Sequence, residues 1–283
     1  MPHSKLTRTQ AILLVLGVLL FTLFFIPSPG TGNMDNMVNW ANAVNDKGLI
    51  AGYAEIADYP PGTPAILFLV IRVANAAGIW LPTALKISFA VFLWLTALIF
   101  WMWTKDILLT LVLLVGLLYN SVVLGHQDIY YAPFLLLALW ALTERKYAWF
   151  TVAFTTACLI KYQPLIIAPY LALYVLGINR LKDWKQIKWR EILLKVGLPF
   201  AGIAGPVLAV FGFNNVLVKS FWGGTHQGYL SGNALNLNWI YTYFLHVLDP
   251  AQYGSLVNGQ ATLLRSVPEQ VQLIPQLFFY AIL

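Results

Sequence analysis

Three short polar stretches contain the side-chain types that acid–base chemistry and charged-ligand binding require. The first, GTGNMDNMVNW at 30–40, contains Asp35, while GHQD at 125–128 and KYQP at 161–164 each end an apolar run. Carboxylates, imidazoles and lysine ammonium groups transfer protons and bind charged groups. Each stretch also has a purely structural interpretation, Asp35 as an acid in a first helical turn and the others as polar residues at helix ends.

Further polar residues interrupt apolar surroundings. Asp58 and Tyr59 precede the rigid corner PPG at 60–62, where proline fixes φ and glycine permits a turn. Arg72 interrupts the apolar segment 64–80, and His226 and Asn233 belong to a long segment near the C-terminal end. A snorkelling or solvated side chain would explain each of them, so their significance depends on where the fold places them.

The composition indicates which elements must position these residues. Hydrophobic residues make up 59% of the 283 residues and charged residues only 10%, against roughly 25% charged in a soluble domain. Several apolar runs approach the roughly 20 residues that cross a bilayer. The predicted fold is all-α, a polytopic transmembrane helical bundle that forms a single transmembrane domain over 1–283. The runs lie near 11–26, 87–103, 107–124, 130–142, 148–160, 165–177 and 196–213.

Charge, the single cysteine and the chain ends narrow the class of protein. The net charge of +6 is explained by membrane orientation, so we expect the lipid bilayer and no nucleic acid as a partner. Because Cys158 stands alone, an intrachain disulfide and a cysteine-rich metal site are excluded. The run at 11–26 is interpreted as an uncleaved first helix. The apolar end at 278–283 resembles the start of another span, so further C-terminal spans are expected.

The distribution of Lys and Arg orients the bundle, because positive charge in short loops marks the cytoplasmic side. The basic segment at 179–195 is therefore assigned to the cytoplasm, together with the N-terminus. A first loop at 28–83 and a later loop at 214–270 then lie on the outer, extracytoplasmic face, where Lys161 also emerges. This topology has its later spans at 84–104, 107–124, 129–143, 147–160, 165–178 and 196–213.

A competing topology makes 64–80 a span and joins 148–177 into one long helix. It buries Arg72 and Lys161 in the membrane and moves Arg145 and Lys146 to the outside. Two central charges cost roughly 5–7 kcal/mol on insertion scales if they are unpaired. We therefore favour the first topology, in which the polar stretches share one outer surface.

The first outer loop is expected to carry two surface helices. Polar residues recur at helical spacing over 35–46 opposite an apolar stripe, which predicts an amphipathic helix on the membrane surface. Asn33 or a neighbour should cap this helix and Gly48 should end it. The corner at 60–62 then redirects the chain into a second, more apolar helix over 64–80. The polar face comprises Asp35, Asn39, Asn42 and Asp46, and the apolar stripe comprises Met34, Met37, Val38, Ala41 and Val44.

The order of the motifs resembles a known class of enzymes. An acid early in the first outer loop, YPPG at 59–62, GHQD at 125–128, KYQP at 161–164 and SGNALNLNW at 231–239 are similar to segments of the GT-C integral-membrane glycosyltransferases. The resemblance is to members that use polyprenyl- or dolichyl-phosphate sugars, the mannosyltransferases among them. Glucosyltransferases of the class have HFQYN where this chain has HQD, so the resemblance does not identify the sugar.

The resemblance implies transfer of a hexose from a polyprenyl-phosphate donor to an acceptor on the outer face, with inversion. Asp35 matches the catalytic acid of the family by position and would be the general base. Lys161, with Arg72 as a second candidate, would bind the donor phosphate and stabilise the charge that develops on it. The remaining candidates would bind sugar or acceptor: Asp58, Tyr59, His126, Gln127, Asp128, Gln163, His226 and Asn233.

The acceptor, the metal dependence and the class of reaction stay open. A glycan, a lipid or a protein would serve as acceptor. No cofactor is obligatory, although a divalent cation held by Asp35 and Asp128 is an alternative, since carboxylates suit hard cations. A transporter or flippase of lipid-linked sugars would use the same outer cavity, but no internal repeat is evident and the polar residues are one-sided. A polymerase or ligase of lipid-linked glycans is a third interpretation.

Overall fold

The structure is a computed structural model. It describes residues 7–56, 59–178, 185, 187–222, 244–245, 247–251, 256–257 and 260–261. The chain divides into two compact units, Met1–Trp222 and Gly223–Leu283. In the second unit, Leu256–Val257 (β1) and Gln260–Ala261 (β2) form a short antiparallel pair. The candidate site residues that the structure describes all belong to the first unit.

Helices make up most of the described part of the first unit. Helix α1 begins at a capping box, in which the Thr7 side chain accepts from the backbone N–H of Gln10 and the Gln10 side chain accepts from that of Thr7. Helix α6 begins at Asp106, whose carboxylate accepts from the backbone N–H of Leu109 at 3.0 Å. The helices are α1 Arg8–Phe25, α2 Asn33–Lys47, α3 Leu49–Ile56, α4 Gly62–Ala77, α5 Leu81–Thr104, α6 Ile107–Leu118, α7 Ala132–Thr143, α8 Tyr147–Ile160, α9 Ala168–Leu176, α10 Trp189–Ile192 and α11 Leu198–Phe211.

Turns of 3-10 helix and of π-helix extend or precede several of these helices. A π-helical turn, Tyr119–Val123, extends α6, and 3-10 turns at Gln127–Tyr130 and Gln163–Ile167 lead into α7 and α9. A second π-helical turn, Leu193–Gly197, joins α10 to α11, and a third π-helical segment, Asn214–Trp222, follows α11.

Two helices in the described part of the chain are long and apolar enough to cross a membrane. They are Leu81–Thr104 and the continuous helix Trp189–Phe211, with mean hydropathies of 2.0 and 1.8. Shorter apolar helices accompany them, among them Thr9–Phe25 and Ile107–Val123. The predicted helical fold is thus confirmed for the first unit, and two of its helices meet the requirements for a membrane span.

The apolar stripe of α2 faces the bundle, which corrects the prediction that it lies on the membrane surface. Met34, Met37 and Ala41 are at most 4% exposed and belong to the same core as Leu67 of α4 and Phe89 of α5. Because α4 and α5 cover this stripe, its apolar surface is buried against other helices and is not free for lipid. Gly32, the neighbour of Asn33, occupies the N-cap position, without a side-chain hydrogen bond.

An additional helix, α3, follows α2 directly. Gly48 ends α2 as predicted, with φ at +80°, a conformation that glycine adopts without steric cost. The next helix returns alongside α2, and Gly52 makes the close approach, since a Cβ there would lie 2.6 Å from Val44 Cα. The first loop therefore contains three helices rather than two.

The chain reverses direction after α8, which contradicts the single helix over 148–177 in the competing topology. Lys161 is extended, with φ −151° and ψ 139°. Leu171 and Val175 of α9 pack against the cluster that contains Phe150 and Ala153 of α8, so α9 runs back beside α8. The 3-10 turn at 163–167, with proline near its start, makes the reversal.

The helix that begins at Trp189 shortens the predicted cytoplasmic loop at 179–195. Glu191 pairs with Lys195 one turn later, with 3.1 Å between Oε2 and Nζ. Such pairs stabilise a helix, so charged residues that suggested a loop belong instead to the first turns of a helix.

The turns between helices lie at two opposite ends of the bundle. Helices α5 and α7 run in the same direction, because Ser88 bonds Tyr130 at 2.6 Å and Phe92 contacts Phe134 one turn later. Their C-terminal ends, with the turns at 104–106 and 144–146, therefore lie together, and we call this side the Arg145 end. The turns at 26–32, 59–61, 124–131 and 161–167 lie at the opposite side, which we call the Lys161 end.

Candidate active site

Four chain segments meet at the Lys161 end and enclose a polar pocket of about 210 Å³. The first turns of α2, the corner before α4, the turn between α6 and α7 and the end of α8 each contribute to its wall. The predicted clustering of the polar stretches is therefore observed for these segments. The lining residues are Asn33, Asn36, Met37, Trp40, Tyr59, His126, Gln127, Asp128 and Lys161.

Two glycines allow the first and third of these segments to approach closely. Gly30 and Gly125 have φ at +79° and +76°. A Cβ on either would lie 2.7 Å from the side chain of Met34. As a result Thr31 N–H donates to Leu124 O at 2.9 Å, and the Asn33 amide bonds His126 Nδ1 at 2.8 Å.

Lys161 forms the charged wall of the pocket. Its ammonium forms an ion pair with Asp128, and its side chain is only 16% exposed against 34% for Asp128. The same Nζ lies 5.6 Å from the ring centroid of Tyr59, at the distance of a cation–π contact. Lys161 is positioned by helix α8, whose last carbonyl, Ile160 O, accepts from Thr63 Oγ1 of α4 at 2.7 Å.

Aromatic rings and amides form the neutral wall. The rings of Trp40 and Tyr59 lie 5.2 Å apart between centroids. Gln127 is 9% exposed, and its Oε1 accepts no hydrogen bond from the described residues. Amide dipoles beside aromatic faces suit a neutral, polyhydroxylated ligand, because the rings pack against its C–H surface and the amides bond its hydroxyls.

Lys86, a fully buried lysine that the sequence did not point to, stabilises the turn between α6 and α7. Lys86 of α5 is 1% exposed, and its ammonium donates to Ser28 Oγ at 3.2 Å, to Val122 O and to Val123 O at 2.9 Å. An ammonium has three N–H donors, one for each of these acceptors. Lys86 thereby fixes the end of the π-helical turn that precedes the GHQD stretch at 125–128.

Three of the predicted residues do not line the pocket. Asp35 is exposed in the first turn of α2, in the same turn as Asn33 and Asn36, but rotated by about 100° from Asn36. Arg72 is exposed on α4 above the ring of Phe68, at 5.1 Å; nine residues separate it from Thr63, or about 14 Å of helix. Gln163 is exposed at the start of the turn that follows Lys161.

Asp58, His226 and Asn233 lie outside the described residues. In the parts of the chain that the structure describes, no three His, Cys, Asp or Glu side chains form a group that could hold a metal ion. The pocket residues that sequence reasoning missed are Asn33, Asn36, Met37 and Trp40. The signal for them is their helical spacing, since the last three follow Asn33 by three, four and seven residues.

An apolar cavity of about 690 Å³ lies next to the polar pocket, between α8, α9 and α11. Leu159 and Tyr162 line this cavity, while Lys161, between them in sequence, lines the polar pocket. Lys161 is extended, whereas Leu159 is helical and Tyr162 has an αR conformation, and this break in the helical path separates the side chain of Lys161 from the apolar cavity.

The buried Tyr53 and the half-buried Tyr162 hold the segment after α11 against this region. Tyr162 donates to Val216 O at 2.8 Å, and Tyr53 of α3 donates to Asn215 O at 3.4 Å. Burial raises the pKa of both phenols above the ordinary value for tyrosine, so both stay protonated and remain hydrogen-bond donors at neutral pH.

The chain matches no protein-family model, no curated protein and no solved structure.

Proposed function

We propose that the first unit is a multi-pass membrane bundle with its Lys161 end on the outer, extracytoplasmic face and its N-terminus in the cytoplasm. Large apolar side chains are exposed on its exterior; Phe24 and Leu198, for example, are 74% and 64% exposed. Only 6% of the apolar window of the helix Trp189–Phe211 is buried within the chain. Lipid solvates such a surface and water does not. The basic residues of the Arg145 end then lie in the cytoplasm, as the positive-inside rule requires.

We further propose that the chain is an inverting glycosyltransferase that moves a hexose from a polyprenyl-phosphate donor to an acceptor on the outer face. The observation that carries this proposal is the composition of the polar pocket, in which one half-buried cation, Lys161, stands beside a wall of amides and aromatic rings. A sugar phosphate presents the matching pair of surfaces, a neutral hydroxylated ring and an anionic group. The resemblance of the motifs to GT-C glycosyltransferases supports the same reaction.

The reaction forms one bond and breaks another at the anomeric carbon. An acceptor hydroxyl oxygen attacks that carbon from the face opposite the phosphate, and the bond between the carbon and the phosphate oxygen breaks. The electron pair of the broken bond leaves with the polyprenyl phosphate, and Lys161 stabilises the charge that develops there. Because lipid phosphate is a good leaving group, the reaction needs a base for the acceptor proton but no general acid.

Asp35 and Asp128 have different roles in this proposal. Asp128 holds Lys161 at the wall of the pocket, and the donor phosphate would compete with its carboxylate for the ammonium. Asp35 stands outside the donor pocket, on the solvent side of the same helical turn that contributes Asn33 and Asn36, where an acceptor would arrive from solvent. We therefore assign the acceptor proton to Asp35 and the positioning of Lys161 to Asp128.

The apolar cavity gives the donor a place for its lipid chain. It lies between α8, α9 and α11 and begins beside Lys161, at Leu159 and Tyr162. A polyprenyl chain in this cavity would leave its phosphate near the ammonium.

The test is transfer of radiolabel from a panel of polyprenyl-phosphate sugars, using membranes that contain the chain. Wild-type membranes should move one label to an acceptor in a glycosidic bond. Lys161→Ala should weaken binding of that donor about tenfold to a hundredfold, because a charge-assisted hydrogen bond to phosphate is lost.

A matched variant controls for the loss of an ion-paired lysine. Lys47 pairs with Glu55 at the surface, outside the pocket, so Lys47→Ala should leave transfer unchanged. Movement of intact donor across the membrane without a new glycosidic bond would instead identify a transporter and overturn the proposal of an enzyme. Equal donor binding by wild type and Lys161→Ala would remove Lys161 from the phosphate site.

A further inference from the structure

A second polar pocket opens at the Arg145 end. Its volume is about 460 Å³, and it lies between the turn that joins α7 to α8, the last turn of α9 and the start of α10. Three of its lining side chains are cations, Arg145, Lys188 and Lys195, and one is an acid, Glu191. The proposed sugar transfer uses none of these residues.

The charges of this pocket are unbalanced. Glu191 is shared by both lysines, at 3.1 Å from Lys195 and 3.5 Å from Lys188. Arg145 has no acidic partner among the residues that the structure describes. Among the described residues, the lining therefore carries three positive charges against one negative charge, and the cation without an acidic partner there is a guanidinium, the group best suited to bidentate phosphate binding.

The remaining wall of the pocket is apolar and aromatic. Leucine and valine side chains of α9 stand beside the cations, together with Tyr174, which is 55% exposed. Trp189, at the start of α10, is 59% exposed at the same end. Exposed Tyr and Trp side chains at the ends of apolar helices are typical of the membrane interface. The cations at the rim suit an anionic lipid headgroup, and the apolar wall suits the acyl chains. Together they match an anionic phospholipid at the membrane interface.

The backbone of Arg145 adds an independent observation. Arg145 has φ at +56°, and the two hydrogen bonds that end α7, Arg145 N–H to Leu142 O at 2.9 Å and Lys146 N–H to Ala141 O at 2.8 Å, form around it. Glycine is the usual residue at this position, because a side chain there is strained. Lys105 has the same positive φ but does not line this pocket, so what distinguishes Arg145 is that its guanidinium stands at the pocket wall.

We propose that this pocket binds the headgroup of an anionic phospholipid in the cytoplasmic leaflet, with Arg145 as the main ligand of its phosphate and Lys188 and Lys195 as flanking cations. The inference rests on insertion of the bundle into a membrane and not on sugar transfer. Its test therefore measures lipid binding directly, and the result does not depend on any glycosyltransferase assay.

The experiment is native mass spectrometry of the delipidated full chain in neutral detergent, with phosphatidylglycerol or phosphatidylcholine of identical acyl chains added. Wild-type protein should retain phosphatidylglycerol about tenfold better than phosphatidylcholine. Arg145→Gly should lose this preference without a lower melting temperature in lipid-free detergent, since glycine relieves the positive φ. Glu191→Gln should strengthen the preference, because it frees both lysines from the acid that they share.

The chain offers a matched control in Lys105, which ends α5 with φ at +57° and does not line the pocket. Lys105→Gly removes a cation from the same backbone conformation at the same end of the bundle, and should keep the preference for phosphatidylglycerol. An unchanged preference in Arg145→Gly, or an equal loss in Lys105→Gly, would overturn the site. Displacement of phosphatidylglycerol by an equimolar amount of inorganic phosphate would overturn the assignment to lipid, since a soluble anion would then be the ligand.

Discussion

The ion pair between Lys161 and Asp128 is the most buried of the four ion pairs in the described part of the chain. Its side chains are 16% and 34% exposed, whereas both partners of the other three pairs are at least half exposed. Exposed pairs contribute about 0–1 kcal/mol to stability, so those three say little about function. A partly desolvated cation at the wall of a pocket interacts more strongly with an incoming anion, because water screens it less. The proposed phosphate site therefore depends on the burial of Lys161 as well as on its charge.

Kinetic measurements should distinguish the role of Asp35 from that of Asp128. Asp35→Asn should lower kcat about a hundredfold or more, the usual contribution of a general base, while the donor Kd stays within about twofold. Asp128→Asn should instead tighten donor binding about twofold to fivefold, because Lys161 no longer pairs with a carboxylate. The measurement is kcat for transfer together with the donor Kd for each variant.

A third acid controls for the change of charge. Asp46 is exposed near the other end of α2 and lines no part of the pocket, so Asp46→Asn should match wild type in both quantities. A kcat for Asp35→Asn close to that of wild type would remove Asp35 as the base. If Asp128→Asn lost turnover in its place, Asp128 would be the acid that takes the proton.

Among the elements, the start of α4 connects the neutral wall of the pocket, at Tyr59, to the charged wall at Lys161. Gly62 lies against the end of α8, and a Cβ there would be 2.6 Å from Leu159 O and 2.9 Å from Ile160 Cγ1. Gly62→Ala should push α4 away from α8, lower stability by about 1–3 kcal/mol and separate Tyr59 from Lys161. Gly116 lies in the middle of α6 with no atom within 4 Å of a built Cβ, so Gly116→Ala should raise stability by about 0.5–1 kcal/mol.

The stability of both glycine variants is measured by unfolding in detergent, and the effect on the pocket is measured by donor binding. The expected order of stability is Gly116→Ala, wild type, Gly62→Ala. If Gly62→Ala were as stable as wild type and bound donor equally well, the close packing of α4 on α8 would not be what holds the pocket together.

Lys86 connects α5 to the turn that carries His126 and Asp128. Lys86→Met keeps an unbranched side chain but removes the donor to Val122 O, while Val123 O keeps only the longer bond from Ser28 Oγ at 3.3 Å. Because an unsatisfied buried acceptor costs about 1–3 kcal/mol, the variant should lose about 1–3 kcal/mol of unfolding free energy. Lys105→Met, at the exposed end of the same helix, should change stability by less than about 0.5 kcal/mol. Equal denaturation midpoints for the two variants would contradict this role of Lys86.

Local patterns in the sequence predict the type and the ends of several elements, but not which residues of different elements come into contact. The stripe of α2 and its end at Gly48 follow from spacing and from one residue type, and both were predicted. The bonds of Lys86 to Val122 and of Asn33 to His126 join residues 36 and 93 positions apart, and no periodicity reveals them. For the same reason the sequence placed the stripe of α2 on a membrane surface, since the helices that cover it are distant in the chain.

At the scale of the whole molecule, the two ends of the bundle differ in charge and in the kind of pocket that they hold. The Lys161 end holds the amide and aromatic pocket with one half-buried ammonium. At the Arg145 end, the pocket is rimmed by three cations, and Lys105 and Lys146 are exposed nearby. This asymmetry is the pattern of a membrane protein whose basic end stays in the cytoplasm. The proposed reaction and the proposed lipid site thus belong to opposite faces of one membrane.

Cysteine accessibility tests this orientation. Cys158 is buried, and Cys158→Ala gives a background without a native thiol. In that background Gln163→Cys, exposed at the Lys161 end, should react with an impermeant maleimide in intact cells. Lys146→Cys, exposed at the Arg145 end, should react only after the membrane is permeabilised. Labelling of Lys146→Cys in intact cells would place the basic end outside and reverse the orientation on which both proposed sites depend. Labelling of both positions in intact cells would show that α8, which connects them, does not cross the membrane.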